Sequence, residues 1–399
     1  MSVTAAQGFR AGSVNAGLSS RDSEDFTIVV NDGPLRSGAA VFTSNRAQAH
    51  PIKWSKVAIS DGQVKAVVLN SGGANCFTGP EGFQLTHKTA EVTAEALSDE
   101  AIVMGGDQVS AGDVLVCSTG LIGEPLPAGA VINAIPLAVS MLDSTSEAGE
   151  LSSRAIMTTD SVPKRSVVTF EVEGTTVTIG GMAKGAGMLA PGLATMLVVI
   201  TTDADLPSDA LDRALREATR VSFDRLDSDG CMSTNDQVTL MASGASGVSP
   251  SQDVFTAELT NVCLELARGL QADAEGSSHN ISIEVVGAPS EDDAVTVGRV
   301  VARNNLFKAA VFGNDPNWGR VLAAIGTAPV EFDVDAVDVS MNGVRVCHEG
   351  TPDRPRTEVD LSPRDTHVLI DLKAGSGQAT IFTNDLTHDY VHENSAYSS

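Results

Sequence analysis

Apolar and polar positions along the chain alternate between two periods, and together they predict an α/β protein. Short β-branched runs read as strands at Phe26–Val30, Ala39–Phe42, Val64–Leu69 and Val114–Cys117. Ser166–Phe170 and Thr175–Ile179 flank Glu171–Gly174 as the arms of a hairpin, and Ser233–Asp236 introduces a further strand at Val238–Ala242. The most continuous apolar run, Thr195–Thr202, has no polar alternation and reads as a strand buried on both faces. Helical spacing marks Phe83–Leu97, Ala128–Leu142, Glu147–Met157 and Ser208–Val221, the last with Leu211, Leu215 and Ala218 in line. In Val254–Leu270, Phe255, Leu259, Val262, Leu266 and Leu270 recur on one face. From Ile281 the composition shifts: Ile281–Val286 alternates as a half-buried strand, Asp292–Val301 is helical, and Val368, Ile370 and Leu372 alternate again. This predicts a smaller C-terminal domain over about 281–399. Gly313–Arg320, with its glycines and proline, is expected to be a fixed loop, and Pro352–Pro363 an exposed one.

The stretch Gly180–Asp205 joins the hairpin to the buried strand. Its glycine-rich half ends at Pro191-Gly192, and the strand begins at Ala194-Thr195. A small residue followed by a threonine at the head of a buried strand suits self-cleavage. The hydroxyl attacks the preceding carbonyl, and Thr195 becomes a new N-terminus whose amine, with a pKa of about 7.7–8.0, serves as base for its own hydroxyl. A plain strand threonine is the competing reading. Dinucleotide binding is a third: Gly185-x-Gly187-x-x-Ala190 fits the loose fingerprint, and Asp205 stands about twenty residues on. That fingerprint needs a helix after the glycines, and Pro191-Gly192 with a Val/Ile run supplies none. A phosphate loop is absent too, because no Ser or Thr follows Lys184.

Two other segments carry chemistry. Asn70-Ser-Gly-Gly-Ala-Asn75 is a tight turn that presents backbone N–H groups, readable as a plain turn or as part of a site. Val114–Cys117 ends in Ser118-Thr119-Gly120, a kind of end that many strands share and that can aim a hydroxyl and a backbone N–H at one point, as an oxyanion hole requires.

Composition narrows the function class. The formal net charge of −25 repels a phosphate backbone or an anionic membrane, yet leaves room for an anionic small substrate beside a local cation such as Lys184. Five cysteines, at 76, 117, 231, 263 and 347, form no C-x-x-C pair, so a disulfide framework is not expected and the compartment is expected to be reducing. Cys117 reads as a buried small apolar residue. The seven histidines do not cluster, so neither a metal nor a cofactor is expected. No signal-peptide core or membrane-length run occurs, and a cytoplasmic protein is expected.

Lys184-Gly-Ala-Gly-Met-Leu-Ala-Pro-Gly-Leu-Ala-Thr-Met-Leu197 resembles the cleavage-site signature of the ornithine acetyltransferase family, the glutamate N-acetyltransferases of arginine biosynthesis. Asn70–Asn75, Cys117–Gly123, Ile156–Asp160, Ser233–Asp236, Gly313–Arg320 and the tail Glu393–Ser399 resemble further blocks of that family, in order, over nearly the whole chain.

The resemblance implies a helix–sheet–sheet–helix sandwich, like N-terminal-nucleophile hydrolases but differently connected. It implies cleavage between Ala194 and Thr195 into an alpha chain, residues 1–194, and a beta chain, 195–399, associated as a heterotetramer of two of each. Thr195 would be the nucleophile, with Thr119 and Gly120 as the oxyanion hole. Thr158, Lys184, Thr195, Glu275, Asn394 and Ser399 would bind substrate, Asn394 and Ser399 by folding the C-terminus into the site. The activity implied is acetyl transfer from N-acetylornithine to glutamate, with acetyl-CoA as an optional second donor. An N-terminal-nucleophile aminopeptidase or amidase, which passes its acyl group to water, is the alternative. A non-catalytic binding protein is a further one, and it would show an intact chain on a denaturing gel.

Overall fold

The computed structural model describes residues 2–104, 108–190 and 196–396 of the 399-residue chain. In order, the first elements are β1 (Phe9–Val14), β2 (Phe26–Asn31), β3 (Ser37–Phe42), α1 (His50–Ala58), β4 (Ala66–Asn70), α2 (Gly79–Met104), β5 (Val114–Ser118), α3 (Ala128–Ser140) and α4 (Ser146–Ala155). The hairpin β6 (Lys164–Val172) and β7 (Thr175–Lys184) leads to β8 (Leu197–Thr202), α5 (Ser208–Val221), β9 (Gln237–Ala242) and α6 (Gln252–Ala272). The remainder is β10 (Asn280–Ala288), α7 (Glu291–Ala302), α8 (Asn305–Phe312), α9 (Trp318–Ile325), β11 (Asp338–Met341), β12 (Val344–His348), β13 (Thr351–Pro352), β14 (Asp365–Asp371), β15 (Gly377–Asn384) and α10 (His388–Ala396).

Two sheets stack face to face, one ordered β1-β2-β4-β5 and the other β3-β9-β8-β7-β6. The period of two along each strand builds the layers. In the first sheet Val29, Val67, Leu69, Leu115 and Cys117 face inward, meeting Met182, Leu197, Val199 and Met241 of the second. The alternate residues Ile28, Val30, Val68 and Val116 pack under α2 and α3 with Ala90, Leu97 and Ile135. On the far side Val198, Ile200, Val238 and Leu240 pack under α5 and α6, against Leu211, Leu215, Phe255, Leu259 and Leu266. The result is the expected helix–sheet–sheet–helix sandwich. It explains why β8 reads as an unbroken apolar run: all six of its residues are buried, so neither face calls for polar side chains.

Residues 281–381 form their own core around a six-stranded sheet, β13-β12-β11-β14-β10-β15, with α7 and α9 supplying Val297, Val301, Val321 and Ile325. Phe382, at the end of this sheet, instead joins the core of the second sandwich sheet. Two sequence expectations change. Gly313–Arg320 is a loop only as far as Asn317, whose side chain caps α9 by accepting from the Arg320 backbone N–H at 3.3 Å, and Trp318 to Arg320 are helical. The Phe83–Leu97 helix extends to Gly79–Met104. No helix among the described residues is long and apolar enough to cross a membrane.

Candidate active site

β5 ends where the sequence turns from valine to Ser118-Thr119-Gly120, and this turn lies directly on Asn70–Asn75. Thr119 N–H donates to Asn70 O at 3.0 Å, and Gly73 forms isolated bridges with Thr119 and Leu121. Gly120 has φ +129°, and a Cβ there would fall 2.5 Å from Gly73 N. Two backbones therefore approach more closely than any side chain allows. Asn235 clamps both loops, its amide donating to Ala74 O at 2.6 Å and Ser118 O at 2.8 Å.

Lys184 closes β7 and is fully buried. Its Nζ donates to Thr119 Oγ1 at 3.0 Å and to Thr158 Oγ1 at 2.7 Å. An ammonium has three N–H donors, so one remains after these two among the described residues. Accepting from Lys184 also leaves the Thr119 hydroxyl proton free to be donated elsewhere. Burial lowers the Lys184 pKa, opposed by the negative charges of Asp160, Asp236 and Glu275 and assisted by Lys164.

Asp160 organises this corner. Its carboxylate accepts from Lys164 Nζ at 2.5 Å, from Gly185 N–H at 2.6 Å and from Thr158 N–H at 2.9 Å. Burial opposes its charge, but Lys184 and Lys164, with the Gly185 N–H, outweigh burial and hold the carboxyl at about 2. Lys164 is buried between Asp160 and Asp273, which ties the start of β6 to the end of α6.

Glu275 follows α6 and, unlike a typical carboxylate beyond a helix end, is buried. It accepts from Thr159 Oγ1 at 2.8 Å, and its backbone N–H donates to Ala186 O at 3.1 Å. Gly187 makes room for it, since a Cβ there would lie 2.6 Å from both carboxylate oxygens. Met188 next to it holds φ +55°, a left-handed conformation that a side chain takes only under constraint. Asp236, fully buried at the entry to β9, accepts from Met196 N–H at 3.0 Å and so fixes the residue just before β8. Burial raises its pKa well above the ordinary carboxylate value. Burial likewise pushes the Cys117 thiol up, which leaves it inert.

Thr119, Thr158 and Lys184 are thus joined directly, Glu275 reaches them through Thr159, and Gly120 shapes the adjoining turn. Asn394 lies on α10, is exposed, and donates to Tyr390 O within its own helix. That helix is moored beside Glu275: Thr387 Oγ1 donates to Gly276 O at 2.5 Å, and Gly276 packs on the Tyr390 backbone. Ala194, Thr195 and Ser399 lie outside the described residues. Arg320 donates to Leu306 O, anchoring its loop. Asp160, Asn235 and Asp236 fall inside the motifs Ile156–Asp160 and Ser233–Asp236, where the sequence alone gives them no role. Their signal was a polar residue beside a glycine-rich or hydroxyl-rich turn, which is too common to single out.

A family model described as the ArgJ family matches residues 10–399. The arginine biosynthesis bifunctional protein ArgJ of Streptomyces coelicolor is 56% identical over 399 residues, covering 100% of both chains. Its namesake in Streptomyces avermitilis is 57% identical, with the same coverage. A crystal structure of ornithine acetyltransferase complexed with ornithine, from Mycobacterium tuberculosis, is 41% identical, covers 49% of this chain and 96% of its own, and has a TM-score of 0.43.

Proposed function

The chain belongs to the ArgJ family, and on that premise we propose that it transfers an acetyl group from N-acetylornithine to glutamate in arginine biosynthesis, with acetyl-CoA as a second donor. The observation that carries the reading is Lys184, a buried ammonium that donates to two threonine hydroxyls and has a third donor with no hydrogen bond among the described residues. Such a group favours an anion where it forms.

The chain cuts itself between Ala194 and Thr195. The freed Thr195 amine takes the proton of its own hydroxyl, and Oγ1 attacks the acetyl carbonyl. The Thr119 hydroxyl and the Gly120 N–H stabilise the oxyanion, with Lys184 setting the direction of the Thr119 proton. The C–N bond breaks, ornithine leaves with the proton, and glutamate then attacks the acetyl-threonine by the reverse path. Glu275 meets the free amine of ornithine, and Thr158, Asn394 and Ser399 complete substrate contact. Two alpha and two beta chains assemble in the cytoplasm.

Incubation with N-acetylornithine alone tests this directly. One acetyl mass is expected on the 195–399 chain, removable by glutamate, with parallel initial-rate lines against donor at several glutamate levels. Intersecting lines and no acetylated chain would remove Thr195 from the mechanism. Loss of the acetyl group to water at an equal rate with or without glutamate would favour the amidase reading.

A further inference from the structure

Arg46, Lys53 and Lys56 are exposed and form no hydrogen bond or ion pair with any described residue, whereas every other Lys and Arg does. They fall in one segment, Gly33–Ser60, which contains no Asp or Glu in a chain carrying 51 of them. The flanking carboxylates are engaged: Asp32 by Arg10 and Lys65, and Asp61 by the Gln63 N–H. Lys53 and Lys56 are three apart on α1 and share a face. In a protein with so many carboxylates, three cations that no described carboxylate neutralises form a local positive surface, on which Lys56 Nζ lies over the Phe42 ring at 5.7 Å from its centroid.

That surface adjoins the site. His50 N–H donates to Asn75 O at 3.2 Å, Ala49 N–H to Thr234 O at 3.0 Å, and the Asn45 amide to Met232 O at 2.9 Å. A second observation lies on the same loop. Phe77 is 69% exposed and holds φ +58°, a conformation that costs a bulky residue about 1–3 kcal/mol. Cys76 O accepts from Gly123 N–H at 2.9 Å, so Phe77 and the exposed Ile122 stand on either side of one hydrogen bond. The structure thus holds an aromatic ring in solvent, under strain, between the positive surface and the Thr119–Gly120 turn.

We infer that Arg46, Lys53 and Lys56 together with Phe77 and Ile122 form the binding surface for a phosphate-bearing thioester donor. The cations pair with its phosphates, and the apolar pair supports the arm that carries the acetyl group past Gly120. The inference rests on the acetyl-transfer reading and locates its second donor. In the step served, the acetyl C–S bond breaks and the bond to Thr195 Oγ1 forms. The hydroxyl proton passes through the Thr195 amine to the departing sulfur, releasing a free thiol with no change of oxidation state.

The test compares the two donors in the cleaved, assembled enzyme. In the combined variant Arg46→Ala, Lys53→Ala, Lys56→Ala, KM for acetyl-CoA is expected to rise at least about tenfold, while both KM and kcat with N-acetylornithine stay unchanged. Added salt should raise the wild-type acetyl-CoA KM but not that of the variant. Coenzyme A should compete with acetyl-CoA in the wild type and lose that inhibition in the variant. Phe77→Gly removes the ring and suits the backbone, so KM for acetyl-CoA should rise several-fold with no loss of stability. Equal effects on both donors, or no effect on either, would overturn the inference. So would a change of oligomeric state with the acetyl-CoA KM unaltered, which would make this face a subunit contact. A wild type that exchanges acetyl between ornithine and glutamate yet neither uses nor binds the thioester overturns the inference alone. A wild type without exchange overturns the earlier reading.

Discussion

Thr119 and Asp160 hold the two kinds of role found in this site, one turned towards the reacting group and one turned towards the protein. Thr119→Ala should lower kcat by about 10²–10³ and leave KM almost unchanged, because an oxyanion donor acts in the transition state. Steady-state kinetics separate the two, and an effect confined to KM would reduce Thr119 to a pocket wall. Asp160→Asn removes a charge and keeps the shape. Without that charge Lys184 loses the first-named influence opposing its burial, so it should deprotonate at lower pH, and the alkaline limb of the rate profile should move down. Asp160 also makes a stability prediction. Its carboxyl is held at about 2, below the 3.8 of a free aspartate. The stabilisation is therefore complete above about pH 4 and is lost as pH falls through 2, on the order of 2 kcal/mol. Acid unfolding of wild type and Asp160→Asn should converge at the lowest pH, and a constant difference down to pH 1 would contradict this assignment. Thr119 was legible at the polar end of an apolar strand, and Lys184 as a local cation in an acidic chain. Asp160 was not, since the partners that bury its charge, the Gly185 N–H and the nearby Lys184 ammonium, stand at the far end of the hairpin.

Elements were most legible where one face meets water. α5 was read with its observed ends because its charged side forces an amphipathic pattern, and the centre of β10 was legible because alternate residues are half-exposed. α9 was missed because its first turn carries Gly319, three residues after Pro316, and only the capping Asn317 signals a start. No periodicity marked α10, and only the family resemblance implied that the tail folds back; it is helical and moored by Thr387 and Gly276. Gly276 has φ +58°, and a Cβ there would meet Tyr390 N at 2.2 Å. Gly276→Ala should therefore push α10 away from Glu275 and raise substrate KM several-fold, with a backbone strain of about 1–3 kcal/mol. Kinetics with both amino acids check this, and an unchanged KM would mean that α10 plays no part in binding.

At the scale of the molecule, the proposed cut leaves β7 on one chain and β8 on the other. These strands are antiparallel neighbours, paired from Ile179–Thr202 to Lys184–Leu197, and both sheet faces are buried. Separating the chains would expose the whole sandwich core, so cleavage should not release them. The two chains are expected to co-elute under native conditions and to part only in denaturant. Elution of a free 1–194 chain from native enzyme would contradict this. The net charge of −25 adds a general self-repulsion, which moderate salt should relieve as a small rise in Tm.

The sequence by itself determined the alternation of strands and helices, the burial of β8, and the family, through blocks that stand in order from Asn70 to the tail. Each of these depends on neighbours along the chain, or on a recognised pattern of them. Tertiary structure alone decided that Lys184 meets Thr119 and Thr158, that Asn235 binds Ala74 and Ser118 together, and that Glu275 is buried beneath Gly187. It also decided that Arg46, Lys53 and Lys56 find no acidic partner among the described residues. The physical reason is the same throughout. A hydrogen bond or ion pair between distant positions depends on distances of a few tenths of an ångström, and those are set by how the two sheets stack, which no local period of the sequence encodes.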